Sequence, residues 1–160
     1  MGQSAKRRRR TSALTETIVG HDVPFLLART NTLSLAAVNT EMTKHRLTAR
    51  SYAVLALAVS DTRPTQRQLG EFLMLHPSQV VAVVDQLEER GWVRRELDSV
   101  DRRSNVIVAT DEGRAGHEVV RVAVESASAH IFGDLSEQEF GTLSHLLRRL
   151  AFPVQTREVG

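Results

Sequence analysis

Ser78, Gln79, Ala82 and Gln86 fall on one side of a helical projection, and two adjacent arginines, Arg102 and Arg103, follow a short way along the chain. A carboxamide presents a donor and an acceptor in one plane, which matches the N6 and N7 edge of adenine. A small side chain such as Ala82 fits against the thymine methyl. A guanidinium is drawn to a narrow minor groove, where the negative potential is enhanced. These residue types read duplex DNA; they do not break bonds. Asp101 is placed either to hold the Arg103 guanidinium by a charge-assisted hydrogen bond or only to brace the turn, and Arg102 to meet a phosphate. On an isolated helix the same polar residues would be a solvated face. Asp85 and Glu89 share that side, so the reading predicts that only its N-terminal half enters a groove deeply.

Bond-making chemistry finds no support. His117-Glu118 begins like a zinc-protease HExxH helix, but Arg121 stands where the second histidine belongs. The chain has no G-x-S-x-G, phosphate loop or dinucleotide fingerprint. It has no cysteine, and its 6 histidines are scattered without metal-ligand spacing. No catalytic residue, cofactor or metal is expected.

The elements that must position the reading residues follow from periodicity and capping signals. Phe25, Leu26, Leu33, Leu35, Ala36 and Val38 recur at helical spacing from Asp22 to about His45. Thr48 is an N-cap for a second helix carrying Tyr52, Val54, Leu55, Leu57 and Ala58, broken at Asp61-Thr62-Arg63-Pro64. Thr65 with Gln68 makes a capping box for a short helix whose buried side is Leu69, Phe72 and Leu73. Met74-Leu75-His76 forms a turn, and Pro77 opens the reading helix. That helix buries Val80, Val83, Val84 and Leu87, and Gly91 ends it. A two-stranded hairpin then runs out to Asp101-Arg102-Arg103 and returns as Val106-Ile107-Val108. Thr110 caps a helix reaching about Phe132; Ser136 and Glu139 form another capping box for the last helix, which Pro153 ends. Two short helices joined by a turn, followed by a basic hairpin, make a helix-turn-helix with a wing.

Composition agrees. At 160 residues with 41% hydrophobic content the chain suits one core, and its 4% aromatic content leaves packing to Leu, Val and Ala. The net charge is only +2, with a pI near 9.6, yet the base is clustered. Lys6 is followed by Arg7, Arg8, Arg9 and Arg10, and Arg90, Arg94, Arg95, Arg102 and Arg103 crowd the hairpin. Local positive patches on a near-neutral body imply an anionic partner. No apolar run follows the basic arm as a secretion signal would require, and none spans a membrane. A cytoplasmic protein is expected.

The order Leu47-Thr48, Gln68-Leu69-Gly70, Pro77-Ser78-Gln79-Val80, Val84-Asp85-Gln86-Leu87-Glu88-Glu89-Arg90-Gly91-Trp92-Val93, Asp98-Ser99-Val100-Asp101-Arg102-Arg103 and Thr110-Asp111-Glu112-Gly113 resembles the multiple antibiotic resistance regulator (MarR) family of bacterial winged helix-turn-helix transcription regulators. The resemblance implies a mainly α fold with a small β-hairpin wing. It divides the chain into a basic arm (1–20), an N-terminal dimerisation helix (21–47), a winged helix-turn-helix (48–110) and C-terminal dimerisation helices (111–160). Apolar Val119, Val120, Val122, Ala123, Ala127, Ile131, Leu143, Leu147, Leu150 and Phe152 are interface candidates. It further implies a homodimeric repressor of a pseudo-palindromic operator, released by a small phenolic compound, aromatic acid or aromatic acyl-CoA. Phe25, Arg29, His45, Arg46, Ser51, Tyr52 and Leu55 are candidates for that pocket. The family often carries a basic residue where this chain has Ala82 and Gln86, so the base sequence read should differ, and the arginine arm is a source of compensating phosphate contacts. The competing reading is a winged-helix protein-interaction module without DNA specificity.

Overall fold

The computed structural model describes residues 14–99 and 101–153. Its elements run α1 (Val23–Lys44), α2 (Ala49–Val59), α3 (Gln66–Leu73), α4 (Pro77–Glu89), β1 (Val93–Leu97), β2 (Asn105–Ala109), α5 (Asp111–Phe132) and α6 (Glu137–Ala151). A 3₁₀ turn at Ile18–His21 precedes α1. Residues 14–20, grouped with the arm by sequence, are turned, with the Gly20 N–H donating to the Thr17 carbonyl at 2.9 Å. Arg7, Arg8, Arg9 and Arg10 lie outside the described residues.

Polar residues start the helices as their types dictate. Thr48, Thr65 and Ser136 each accept from the backbone N–H three residues on, and the residue at that position bonds back to the cap. Thr110 accepts from the Gly113 N–H, and Asp22 from the Phe25 N–H. Each cap satisfies donors that a helix start otherwise leaves open. At the other end of α1, the Arg46 N–H donates to Thr43 and the Leu47 N–H to Met42, both at 2.9 Å. That is a Schellman closure, with Arg46 at φ 55° where glycine is usual.

The core collects Val38 and Met42 of α1, Val54, Leu55 and Ala58 of α2, Leu69 of α3, Val80, Val84 and Leu87 of α4, Val93, Ile107 and Ala109 of the hairpin and Val120 of α5. Two expectations change here. Phe72 is more than half exposed, because it lies about 60° around α3 from Leu69, and its ring stacks on Phe152 at 5.3 Å. Val120, offered above as an interface residue, is fully buried within the chain. Neighbouring Val119 and Val122 remain exposed, as do much of the apolar surface of α1 and most of that of α6.

β1 and β2 pair antiparallel from Val93 opposite Ala109 to Leu97 opposite Asn105. The Ile107 N–H also donates to Pro64 at 2.8 Å, and Thr65 bridges to Val106. Residues 106–109 are therefore covered on both faces, which explains their unbroken apolar run. At the hairpin base, α5 docks so closely that a Cβ on Gly113 would stand 1.9 Å from the Trp92 carbonyl oxygen. The Thr110 hydroxyl donates to Gly91 at 2.6 Å. Among the described residues no helix is long and apolar enough to cross a membrane.

Candidate nucleic-acid interface

α4 turns its apolar stripe into the core and its polar side outward, and Ser78, Ala82 and Gln86 are exposed there. Its N-terminus holds a feature that the sequence did not suggest. His76 caps the helix: its Nδ1 lies 2.9 Å from the Ser78 hydroxyl, and the His76 N–H donates to Gln79 Oε1 at 3.1 Å. Gln79 is therefore the returning member of a capping box. Its amide nitrogen stays open to an outside acceptor while its oxygen is engaged. Gln86 makes no hydrogen bond among the described residues, so its whole carboxamide is available.

The acids of α4 are handled by the wing. Arg95, on β1, bonds Asp85 at 2.5 Å and also pairs with Glu88; its backbone N–H donates to Glu88 at 3.0 Å. Asp85, expected to repel phosphate, is thus neutralised, and Glu89 is left as the exposed acid on that side. Arg94 and Arg63 both hold Glu96, at 2.6 and 2.8 Å. These hydrogen bonds, Arg63's first and Arg94's next, keep the Glu96 carboxyl below its usual pKa. Arg90 lies over the Trp92 ring, 3.6 Å from its centroid, and donates to the His45 carbonyl at 2.6 Å.

Of the arginines around the hairpin, the two at its tip behave differently. Arg102 and Arg103 are exposed and carry no ion pair among the described residues. Asp101 does not clamp a guanidinium. Its carboxylate accepts from the Arg103 backbone N–H at 3.1 Å and from the Ser104 hydroxyl at 3.0 Å. A short acidic side chain reaches the backbone two residues on more readily than a side chain that can swing into water. Asp101 shapes the turn and leaves both cations to face outward.

The residues named for an effector pocket do not converge. Phe25 and Arg29 are exposed on α1. Ser51 is buried and spent on Thr48, whose N–H it accepts at 2.8 Å, and Leu55 is fully buried in the core. His45 and Arg46 line a cavity of about 380 Å³ beside α4, with Lys44, Leu47, Gln86 and Arg90. Tyr52 is half-buried and stacks on His117, centroids 5.4 Å apart and planes 11° off parallel. His117 Nε2 is buried without a partner, and burial lowers the imidazole pKa. Sequence reasoning missed His117 in this role, since nothing local joins positions 52 and 117. A separate cavity of about 510 Å³ lies between α1, α5 and α6, lined by Leu26, Leu27, Thr30, Phe132, Leu143 and Leu147.

Comparison with known proteins agrees with this arrangement. The MarR family model matches residues 47–105. Over 128 residues the chain is 34% identical to the HTH-type transcriptional regulator PecS of Dickeya dadantii (strain 3937), an alignment covering 78% of this chain and 76% of PecS. The crystal structure of CouR from Rhodococcus jostii RHA1, bound to p-coumaroyl-CoA, matches with a TM-score of 0.79 and 37% identity, covering 86% of this chain and 97% of CouR. A MarR-family transcriptional regulator from Rhodococcus sp. RHA1 matches with a TM-score of 0.78 and 36% identity over the same shares, 86% and 97%. With its helix-turn-helix, its arginine-tipped wing and these likenesses, the chain belongs to the MarR family of winged helix-turn-helix, DNA-binding transcriptional regulators.

Proposed function

We propose that the protein is a homodimeric repressor that reads a pseudo-palindromic operator and is released by a small aromatic acid or its CoA thioester. The observation that carries the DNA half of this reading is the division of labour among the basic residues. Arg94 and Arg95 are consumed by carboxylates, while Arg102 and Arg103 at the wing tip are not. α4 brings Gln86, Ala82 and the Gln79 amide nitrogen to base edges in the major groove, and Arg103 enters the adjoining minor groove. Arg102 meets phosphate, as do Arg7, Arg8, Arg9 and Arg10 of the arm.

Two copies are needed because one reading helix covers only a half-site; dimers place two about one helical turn of DNA apart. The exposed apolar residues of α1 and α6, Phe25, Leu26, Leu33, Phe140, Leu146 and Leu150 among them, supply a surface for a second copy. The aromatic effector is supported by the likeness to CouR, solved with p-coumaroyl-CoA. Within this chain the Tyr52–His117 ring pair offers a stacking surface, and the unpartnered His117 Nε2 offers a hydrogen bond to a phenol or carboxyl group.

The test is selection of genomic fragments by the purified protein, followed by release assays with aromatic acids and their thioesters. One palindrome should be enriched, its affinity falling steeply with salt. Arg103→Ala should weaken operator binding roughly tenfold while the dimer stays folded. Enrichment of no sequence and no salt dependence would favour a protein-interaction module instead.

A further inference from the structure

We infer that the corner between α1 and α2 is a phosphate shelf, with Arg46 and Arg50 as its cations, that grips the sugar–phosphate ridge on the flank of α4 opposite the wing. This rests on the DNA-reading assignment of α4 and adds a contact that neither the reading helix nor the wing makes.

The placement follows from the helix itself. At about 100° per residue, Asp85 and Glu88 lie on one flank of the groove-facing side centred on Ala82, and Arg95 of the wing holds both. Gln79, Val83, Gln86 and Arg90 turn toward the other flank. There they border two adjoining cavities. One, of about 380 Å³, is walled by Lys44, His45 and Arg46. The other, of about 740 Å³, is walled by Asn39, Thr43, Thr48 and Arg50, facing Gln79, Ala82 and Gln86. A helix of about 10–12 Å diameter fills a major groove about 12 Å wide, so a phosphate ridge runs along each of its flanks. The wing attends to one ridge. The α1–α2 corner stands beside the other.

The charge of the corner suits that ridge. Residues 42–50 contain Lys44, Arg46 and Arg50 and no carboxylate. Glu41, just before them, is bound by Lys44 at 2.7 Å. Arg46 and Arg50 are exposed and carry no ion pair among the described residues. Arg90, by contrast, is no free cation: its guanidinium covers the Trp92 ring and bonds the His45 carbonyl at 2.6 Å, which makes it a positioning residue for the corner.

Arg46 supplies an independent sign. It occupies the left-handed position of the Schellman closure, φ 55°, where glycine would be unstrained. Folding alone would favour glycine there. An arginine held in that conformation, with its side chain exposed beside the reading helix, is placed for a contact outside the fold.

The experiment measures affinity for the selected operator and for a mixed-sequence duplex across a salt series, for the full-length protein and for Arg46→Gly, Arg50→Gln and Arg103→Ala. Arg46→Gly should keep or raise the thermal midpoint, because it relieves the backbone. It should weaken both duplexes by the same factor, about three- to tenfold, and make the slope of log K against log salt shallower by about 0.9 for each phosphate released. Arg50→Gln should act likewise without touching the turn. Unchanged slopes in both variants, with Arg103→Ala still weakening the operator, would overturn the shelf and leave the DNA reading intact. A parent protein that binds neither duplex in a salt-dependent way would remove both.

Discussion

Gln79 and Gln86 share one helix face and one chemistry, yet they differ in what remains to offer. The Gln79 oxygen accepts from the His76 N–H, whereas Gln86 is unengaged, so only Gln86 can present a complete donor–acceptor pair to adenine. Gln86→Ala should lose about 1–3 kcal/mol of discrimination at one base step with no change in thermal midpoint. Gln79→Ala should instead lose about 1 kcal/mol of stability as the cap weakens, together with a more even loss of affinity. A panel of operator variants and thermal unfolding of each mutant separate the two outcomes. The face itself was legible, since a period near 3.6 sorts Val80, Val84 and Leu87 from Ser78, Ala82 and Gln86. The capping role of Gln79 was not, because histidine is an unusual cap and His76 read as a turn residue. Asp101 was half legible: spacing brought it to Arg103, but whether to the guanidinium or to the backbone depends on which is held still.

Among the elements, the hairpin owes its placement to α5 as much as to its own pairing. Gly113 lies under the Trp92 carbonyl, with no room for a side chain, and Gly116 lies against the indole, where a Cβ would stand 2.6 Å from the ring. Gly113→Ala should cost about 1–3 kcal/mol of stability and lower DNA affinity through a displaced wing. Chemical denaturation and operator binding measured on the same preparation would check both effects. Helix starts were the most readable part of the fold, at Thr48, Thr65, Thr110 and Ser136, because a cap is decided within four residues. Phe72 and Val120 were placed wrongly for the opposite reason. An apolar stripe announces that something covers it; what covers it, a neighbouring helix of the same chain or another surface, is settled by distant residues. The stack of Phe72 on Phe152, 80 positions away, has no local signature.

For the whole molecule, His117 ties stability to pH. Its folded-state pKa lies below the ordinary 6.5 of imidazole, chiefly through burial, so the unfolded chain takes up the proton more readily. The sign is then fixed: this contribution to stability is complete above the unfolded value and is lost as pH falls through it toward the folded one. Urea midpoints taken between about pH 8 and 5 should decline for the parent protein, and decline less for His117→Gln. A ligand hydroxyl donating to that nitrogen would deepen the dependence, whereas a carboxylate beside it would favour the imidazolium and lessen it.

Thr110 and Gly113 weld the start of α5 to Gly91 and Trp92, Arg114 bonds the Val59 carbonyl at 2.8 Å and also pairs with Asp61, and Arg95 fastens β1 to α4. Groove helix, finger and long helix therefore travel together as one arm. The 22 residues of α5 make that arm roughly 33 Å long, and pivoting it by about 10° at the Phe132 end sweeps the other end through about 6 Å. On the function proposed above, a small molecule wedged near the pivot need not deform any base-contacting side chain to silence the protein. It has only to steer an intact head off its track.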